Sequence, residues 1–144
     1  MLKDIIAFLR GGTSKFFVPE KLVLEAVMQE LPQEEALILE EQIKSIFLVQ
    51  RHNPGKLIAA YYPKKSQVPS LPYHGYEYCL AKVKYEVVGK TKTTDVVLHN
   101  GKLMTFERNV PLKNEQIFVK EVKLHPSSYE PIALEIDASE HGGT

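Results

Sequence analysis

The chain has no tryptophan, only one cysteine and no long apolar segment in its 144 residues. The single Cys79 cannot form a disulfide within the chain, and no cysteine and histidine spacing fits a zinc site. The first residues form too short an apolar segment for a signal peptide, and no segment approaches the roughly 20 apolar residues that span a bilayer. We therefore expect a soluble, cytoplasmic protein with no membrane segment, metal or other cofactor.

Neither sign of charge dominates, since eighteen basic residues balance eighteen acidic ones. This balance argues against a protein that binds nucleic acid or an anionic membrane, because both activities use a broad basic surface. The charges are unevenly placed: residues 63–125 carry eleven basic and six acidic residues, whereas residues 126–144 carry four acidic and no basic ones. We expect the basic middle and the acidic end to attract each other within the fold.

The sequence is organised around Asn100-Gly101, which separates two apolar segments rich in β-branched residues. Both residues tolerate a positive φ, which a tight two-residue hairpin requires at its two central positions. A hairpin is therefore predicted over residues 95–107. Its facing pairs are predicted to be His99–Lys102, Leu98–Leu103, Val97–Met104 and Val96–Thr105. Neither face is wholly polar, so we expect this hairpin near the middle of a covered sheet.

Three segments near the start of the chain have helical periodicity. Helices are predicted over residues 3–10, 19–30 and 34–46. The first carries Ile5, Ile6 and Leu9 on one face, which we expect to dock on the protein's own sheet. Pro19 and Pro32 mark the starts of the other two, because proline loses no hydrogen bond in the first turn of a helix.

The rest of the chain has strand character. The odd positions from Cys79 to Val87 are apolar and alternate with charged residues, which is typical of a half-buried strand. Strands are predicted over residues 47–51, 57–62, 76–88, 116–124 and 132–136, in addition to the hairpin. Of these, the strand at 116–124 has apolar residues on both faces and is expected in a central position.

Helices that precede a run of strands predict an α+β fold. We expect one domain over residues 1–144, in which two or three N-terminal helices pack on one face of a mostly antiparallel meander sheet of five or six strands. The helical part is residues 1–46 and the sheet part is residues 47–136. Residues 137–144 are small and polar, and are expected to form a frayed tail.

A segment rich in proline and tyrosine, residues 63–78, interrupts the strands. Three prolines within thirteen residues exclude a helix, and a loop of this length in a compact domain is commonly functional. Six of the seven tyrosines lie between residues 61 and 85. Tyrosine provides a large contact area at low entropic cost, although β-propensity alone would also favour it in strands. The candidate binding residues are Lys64, Lys65, Tyr73, His74, Tyr76 and Tyr78.

Two functions remain open. The sequence favours a non-catalytic interaction module, of the kind found in small bacterial adaptors or inhibitors, that binds a protein partner through residues 63–78. The alternative is a small-molecule-binding or hydrolytic domain with a pocket between the helices and a curved sheet, in which His99 and Asp95 converge. No catalytic or metal-ligating residue is predicted. The one P-loop-like segment, Gly89-Lys90-Thr91, has Lys84 where that motif needs a glycine. The oligomeric state is left open.

Overall fold

The computed structural model describes residues 2–52, 57–107 and 115–126, apart from the side chain of Lys3. The described helices are α1 (Leu2–Leu9), α2 (Val18–Glu30) and α3 (Gln33–Ser45). The described strands are β1 (Gly12–Thr13), β2 (Leu48–His52), β3 (Leu57–Tyr61), β4 (Tyr78–Val87), β5 (Lys90–His99), β6 (Lys102–Glu107) and β7 (Phe118–Leu124). The predicted α+β class is confirmed, with seven described strands rather than five or six. The predicted strand at 132–136 and the tail at 137–144 lie outside the described residues.

All seven described strands form one antiparallel sheet in the order β1-β2-β3-β6-β5-β4-β7. The order departs from a simple meander because β6 folds back beside β3, so that the β5–β6 hairpin lies between β3 and β4. The hairpin is central, as predicted. β7 was expected in a central position but pairs with β4 at the edge of the described sheet. Its burial alternates, with Phe118 exposed and Val119 and Val122 packed against the core.

The turn of the central hairpin forms as the sequence predicts, with Asn100 and Gly101 both at positive φ. The two strand pairs nearest the turn are also as predicted. The next two are not, because Met104 is an extra residue in a β-bulge. Val97 therefore faces Thr105, and Val96 faces Phe106. A bulge of one residue reverses the direction of the side chains that follow it. It moves Phe106 to the face that the larger helices cover, so the predicted Val97–Met104 and Val96–Thr105 pairs are wrong.

α2 and α3 cover one face of the sheet and enclose a continuous apolar core. The buried residues of these helices follow helical spacing: Val23, Leu24 and Val27 of α2 and Leu39 of α3 are inaccessible or nearly so. The largest apolar side chains on the sheet side of this core are Ile58, Leu80, Tyr85, Leu98, Leu103 and Phe106. The space between these helices and the sheet is therefore filled by side chains.

α1 does not dock in the predicted orientation. Ala7 is its fully buried residue, and Asp4 accepts a hydrogen bond from Ser14. The apolar side chains of Ile5, Ile6 and Leu9, which were expected to face the sheet, are exposed. The small Ala7 side chain allows close approach, so this side of the helix makes the contact. In the described part of the chain, no helix has both the length and the apolar character needed to cross a membrane.

Candidate functional site

Residues 63–77, which form most of the connection from β3 to β4, pass around the tip of the central hairpin; we call this segment the strap. It takes this path because β3 and β4 lie on either side of the β5–β6 hairpin. The strap is hydrogen-bonded to both turn residues. The amide of Leu71 donates to the Gly101 carbonyl at 2.8 Å, and the amide of Asn100 donates to the Gly75 carbonyl at 2.9 Å. The strap is therefore attached to the sheet.

The contact between the strap and the turn is close at Gly101. Leu71 is fully buried in the core and brings its backbone against the turn. A Cβ atom at Gly101 would lie 2.5 Å from the Leu71 carbonyl oxygen, and the φ of Gly101 is +80°. Glycine is thus required at this position both for the left-handed backbone and for the approach of the strap.

Gln42 of α3 fixes the strap and the hairpin to the helical layer. Its side chain is fully buried, and Nε2 donates to the carbonyls of Pro69 and Gly101, each at 2.9 Å. Oε1 accepts the amide hydrogen of Leu103, also at 2.9 Å. A buried amide is tolerated only when its polar atoms are paired, and here they are paired with three backbone groups, one in the strap and two in the hairpin. The sequence analysis missed Gln42, whose signal was a polar residue three positions after Leu39 on an apolar helix face.

Two of the candidate binding residues, Tyr73 and Tyr78, are occupied within the fold. Their rings stack with centroids 5.0 Å apart. The Tyr73 hydroxyl donates to the Glu35 carboxylate of α3, with oxygens at 2.8 and 2.9 Å, and the Tyr78 hydroxyl lies 2.6 Å from His125 Nδ1. Burial, together with the hydrogen bond to Glu35 and its charge, raises the pKa of Tyr73 to about 12. These side chains hold the second half of the strap in place.

The other four candidates, Lys64, Lys65, His74 and Tyr76, are exposed. Tyr76 is the large aromatic among them, with 70% of its surface accessible. Its ring meets His99 edge-on with centroids 4.7 Å apart, and its carbonyl lies 2.6 Å from His99 Nδ1. Because a carbonyl can only accept, Nδ1 carries the hydrogen in this bond. The Tyr76 ring is therefore open to solvent and also fixed in position.

The alternative site residues, His99 and Asp95, lie on the face of the sheet opposite α2 and α3. Asp95 Oδ1 accepts a hydrogen bond from Lys82 Nζ at 2.8 Å, so its carboxylate is committed to an ion pair. Cys79 lies on the same face, and burial, with Asp95 as a further cause, raises the pKa of its thiol to about 12. A thiol with this pKa is protonated at neutral pH and is a poor nucleophile.

Glu77, at the end of the strap, lies near His99 and the buried Glu107. Burial raises the pKa of Glu77; the charge of Glu107 adds to this effect and His99 partly offsets it. Glu107 accepts a hydrogen bond from the Thr105 hydroxyl at 2.7 Å. Within residues 2–52, 57–107 and 115–126, no group of three or more acidic, histidine or cysteine side chains is arranged to hold a metal ion.

A groove of about 410 Å³ lies between α2, α3 and residues 14–16. Apolar side chains such as Leu24 and Ile43 form part of its lining, together with charged residues that include Lys21 and Glu40. It contains none of the candidate residues from the sequence.

Comparisons with protein-family models, with curated proteins and with solved structures find no match to the chain.

Proposed function

We propose that the chain is a non-catalytic interaction module that binds a protein partner on the outer surface of the strap. Tyr76 is the main anchor, and His74, Lys64 and Lys65 are further contacts. The observation that carries the proposal is the state of Tyr76, which is 70% exposed and yet fixed against His99. Tyrosine is among the residues that contribute most to protein interfaces.

The attachment of the strap supports the same proposal. Binding normally costs free energy because loops and side chains lose conformational freedom, and a surface that is already ordered avoids much of that cost. Gln42 and Leu71 hold the strap on the hairpin, and Tyr73 holds it on α3. Most of these ordering contacts use buried groups, which leaves the exposed side chains available to a partner.

The charges of the strap suggest the chemistry of the partner. Lys64 and Lys65 are adjacent and exposed, and neither takes part in an ion pair among the described residues. Exposed charges at the edge of an interface mainly increase the rate of association with a surface of opposite sign. We therefore propose an acidic protein surface that also offers a pocket for the Tyr76 ring.

The alternative, a small-molecule-binding or hydrolytic domain, has less support. The apolar core fills the space between α2, α3 and the sheet, where its pocket was expected. Asp95 is paired with Lys82, and the Cys79 thiol is protonated at neutral pH. These features favour a binding module over a hydrolase that uses His99 and Asp95.

The experiment is site-specific photocross-linking in cells of the source organism. The photoreactive residue p-benzoylphenylalanine replaces Tyr76 in one variant and Phe118 in the other. Phe118 is a matched control because it is also an exposed aromatic, 59% accessible, and lies on β7 at the edge of the described sheet. We expect a discrete protein adduct from position 76 and not from position 118.

The partner identified by mass spectrometry is then tested as a purified protein. Tyr76→Ala should weaken its binding at least tenfold, as expected for a central interface residue, and Phe118→Ala should leave binding within twofold. Circular dichroism checks that both variants are folded. An adduct that forms equally from positions 76 and 118, or binding that Tyr76→Ala does not change, would refute the proposal.

A further inference from the structure

The apolar side of α1 faces solvent, and its opposite side contacts the protein. Ala7 is fully buried, and the Asp4 carboxylate accepts a hydrogen bond from the hydroxyl of Ser14, which follows β1. The backbone carbonyl of Arg10, just after α1, accepts a hydrogen bond from the Gln50 side chain at 2.6 Å. The side chains left in water, between 40% and 78% accessible, are those of Leu2, Ile5, Ile6, Phe8 and Leu9.

Four of these side chains form a single stripe. Leu2, Ile5, Ile6 and Leu9 follow the spacing i, i+3, i+4, i+7, which places them on one face of a helix. Such a stripe usually packs against another element of the protein, but here no described element covers it. The stripe is also symmetric about its midpoint. Two copies that run in opposite directions bring Leu2 of one against Leu9 of the other, and Ile5 against Ile6.

We propose that a second copy of this chain covers the stripe, with the two α1 helices packed antiparallel across a two-fold axis. The four side chains of the stripe offer on the order of 400 Å² on each copy, so a pair buries about 800 Å², which is below the roughly 1,200 Å² of specific stable interfaces and is typical of a weak, reversible dimer. An antiparallel pair also places the positive N-terminal end of each helix beside the negative C-terminal end of the other. The contact is isologous, so it closes as a dimer.

The charges around α1 favour a protein surface over a lipid surface. Helices that lie in a membrane interface are typically rich in lysine and arginine on their polar side. The basic residues in and beside α1 are Lys3 and Arg10, and the Arg10 guanidinium lies over the Phe47 ring, 5.7 Å from its centroid. This surface is distinct from the strap, and the dimer does not depend on the proposed function of the strap.

Sedimentation velocity of the purified chain between about 1 and 100 µM tests the dimer. We expect a monomer–dimer equilibrium in which Ile5→Asp raises the dissociation constant at least tenfold. The control is Val88→Asp, since Val88 is 90% exposed in the β4–β5 turn at positive φ, which aspartate tolerates. It should leave the dissociation constant within twofold. Because Ile5 is exposed, both variants should retain the wild-type circular dichroism spectrum.

The direction of packing is tested by disulfide cross-linking. A mixture of Leu2→Cys and Leu9→Cys variants should form a covalent dimer faster than either variant alone, and the buried Cys79 should not compete. The proposal is overturned if the wild-type chain is monomeric at 100 µM, or if Ile5→Asp leaves the dimer unchanged. It is also overturned if a monomeric chain binds phosphatidylcholine–phosphatidylglycerol vesicles through α1, or if Leu9→Cys alone cross-links as fast as the mixture.

Discussion

Gln42 Nε2 donates a hydrogen bond to the carbonyl of Gly101 at 2.9 Å, across 59 positions of sequence. The same nitrogen reaches Pro69 in the strap, and the amide oxygen accepts the Leu103 N–H. One buried side chain therefore joins α3, the strap and the central hairpin. This junction holds the strap at Pro69, and Tyr73 and Tyr78 hold its second half.

Replacing Gln42 should destabilise the whole domain. Gln42→Ala removes the acceptor for the buried Leu103 N–H and the donor to Pro69. Each buried polar group left unpaired costs about 1–3 kcal/mol, so we expect the free energy of unfolding to fall by about 2–4 kcal/mol. Urea denaturation followed by circular dichroism measures the loss. The control Gln29→Ala, at an exposed position on α2, should change stability by less than about 0.5 kcal/mol. If both substitutions had a similar, small effect on the free energy of unfolding, Gln42 would not stabilise the junction.

Gly101 and Gly89 allow the strap contact to be separated from backbone strain. Both have a positive φ, +80° and +76°, but only Gly101 has a neighbour, the Leu71 carbonyl, within reach of an added Cβ. We expect Gly89→Ala to cost about 1 kcal/mol of unfolding free energy from its left-handed backbone. Gly101→Ala should cost about 2 kcal/mol more, because the strap must move. Equal losses of unfolding free energy for the two variants, measured by urea denaturation, would show that the strap does not restrict the side chain at position 101.

The ion pair between Arg51 and Glu20 joins β2 to the first turn of α2. Arg51 donates to both carboxylate oxygens, at 2.8 and 2.7 Å, and Glu20 is 1% exposed. Arg51→Ala leaves this buried carboxylate without its cation, so the expected loss is about 3–5 kcal/mol. Lys84→Ala, which breaks the exposed 3.4 Å pair with Glu121, should cost less than about 1 kcal/mol. Chemical denaturation at pH 7 compares the two, and similar losses would be inconsistent with the burial of Glu20.

The contact between Tyr73 and Glu35 predicts a loss of stability at high pH. Burial and Glu35 raise the pKa of folded Tyr73 to about 12, whereas an unfolded tyrosine ionises near pH 10. Between these values the unfolded chain has lost a proton that the folded chain keeps. The contribution of Tyr73 to stability is therefore complete below about pH 10 and decreases as the pH rises toward 12. Tyr73→Phe should reduce this slope in urea denaturation at pH 9–11.5.

Two charge variants test the cause of the Tyr73 shift. Glu35→Gln should lower the pKa of Tyr73, followed by NMR of ¹³C-labelled tyrosine, but not to the ordinary value, since burial is the largest cause. Glu34→Gln, at the neighbouring exposed position, should leave the pKa unchanged. This origin of the pH dependence would be excluded if Tyr73→Phe did not alter the change of unfolding free energy with pH. It would also be excluded if the two glutamate variants had equal effects on the pKa of Tyr73.

Much of the fold follows from local rules. Proline positions and helical spacing predicted α2 and α3, and Asn100-Gly101 predicted the turn of the hairpin. The bulge at Met104 could not be predicted, because apolar residues continue on both sides of it. It is favoured by packing that forms only in three dimensions, since Phe106 stacks on Phe16 with ring centroids 5.6 Å apart.

The orientation of α1 shows a different limit of sequence patterns. An apolar stripe predicts burial but not the surface that buries it. In α1 the small Ala7 fits against the protein, and the stripe containing Ile5 faces outward. The periodicity of the apolar residues does not show whether the stripe packs against the protein or faces outward.

The candidate site was only partly visible in the sequence. Composition located the strap, and Tyr76 is exposed on it, but Tyr73 and Tyr78 are engaged within the fold. The residues that hold the strap gave weak signals: Gln42 is a single polar residue on an apolar helix face, and Leu71 is a single apolar residue between prolines. Their roles depend on contacts between segments that are far apart in sequence.

The amide of Leu71 donates a hydrogen bond to the Gly101 carbonyl at 2.8 Å. Its hydrogen exchange gives the most direct test of the attachment of the strap to the hairpin. Native-state hydrogen exchange measured by NMR reports the free energy of the opening that exposes each amide. If the strap is attached to the hairpin as described, the Leu71 amide exchanges only through global unfolding. Its opening free energy then equals that of amides in the central strand β5. Exchange of the Leu71 amide at the rate of an unprotected amide, while the amides of β5 remain protected, would contradict the attachment of the strap.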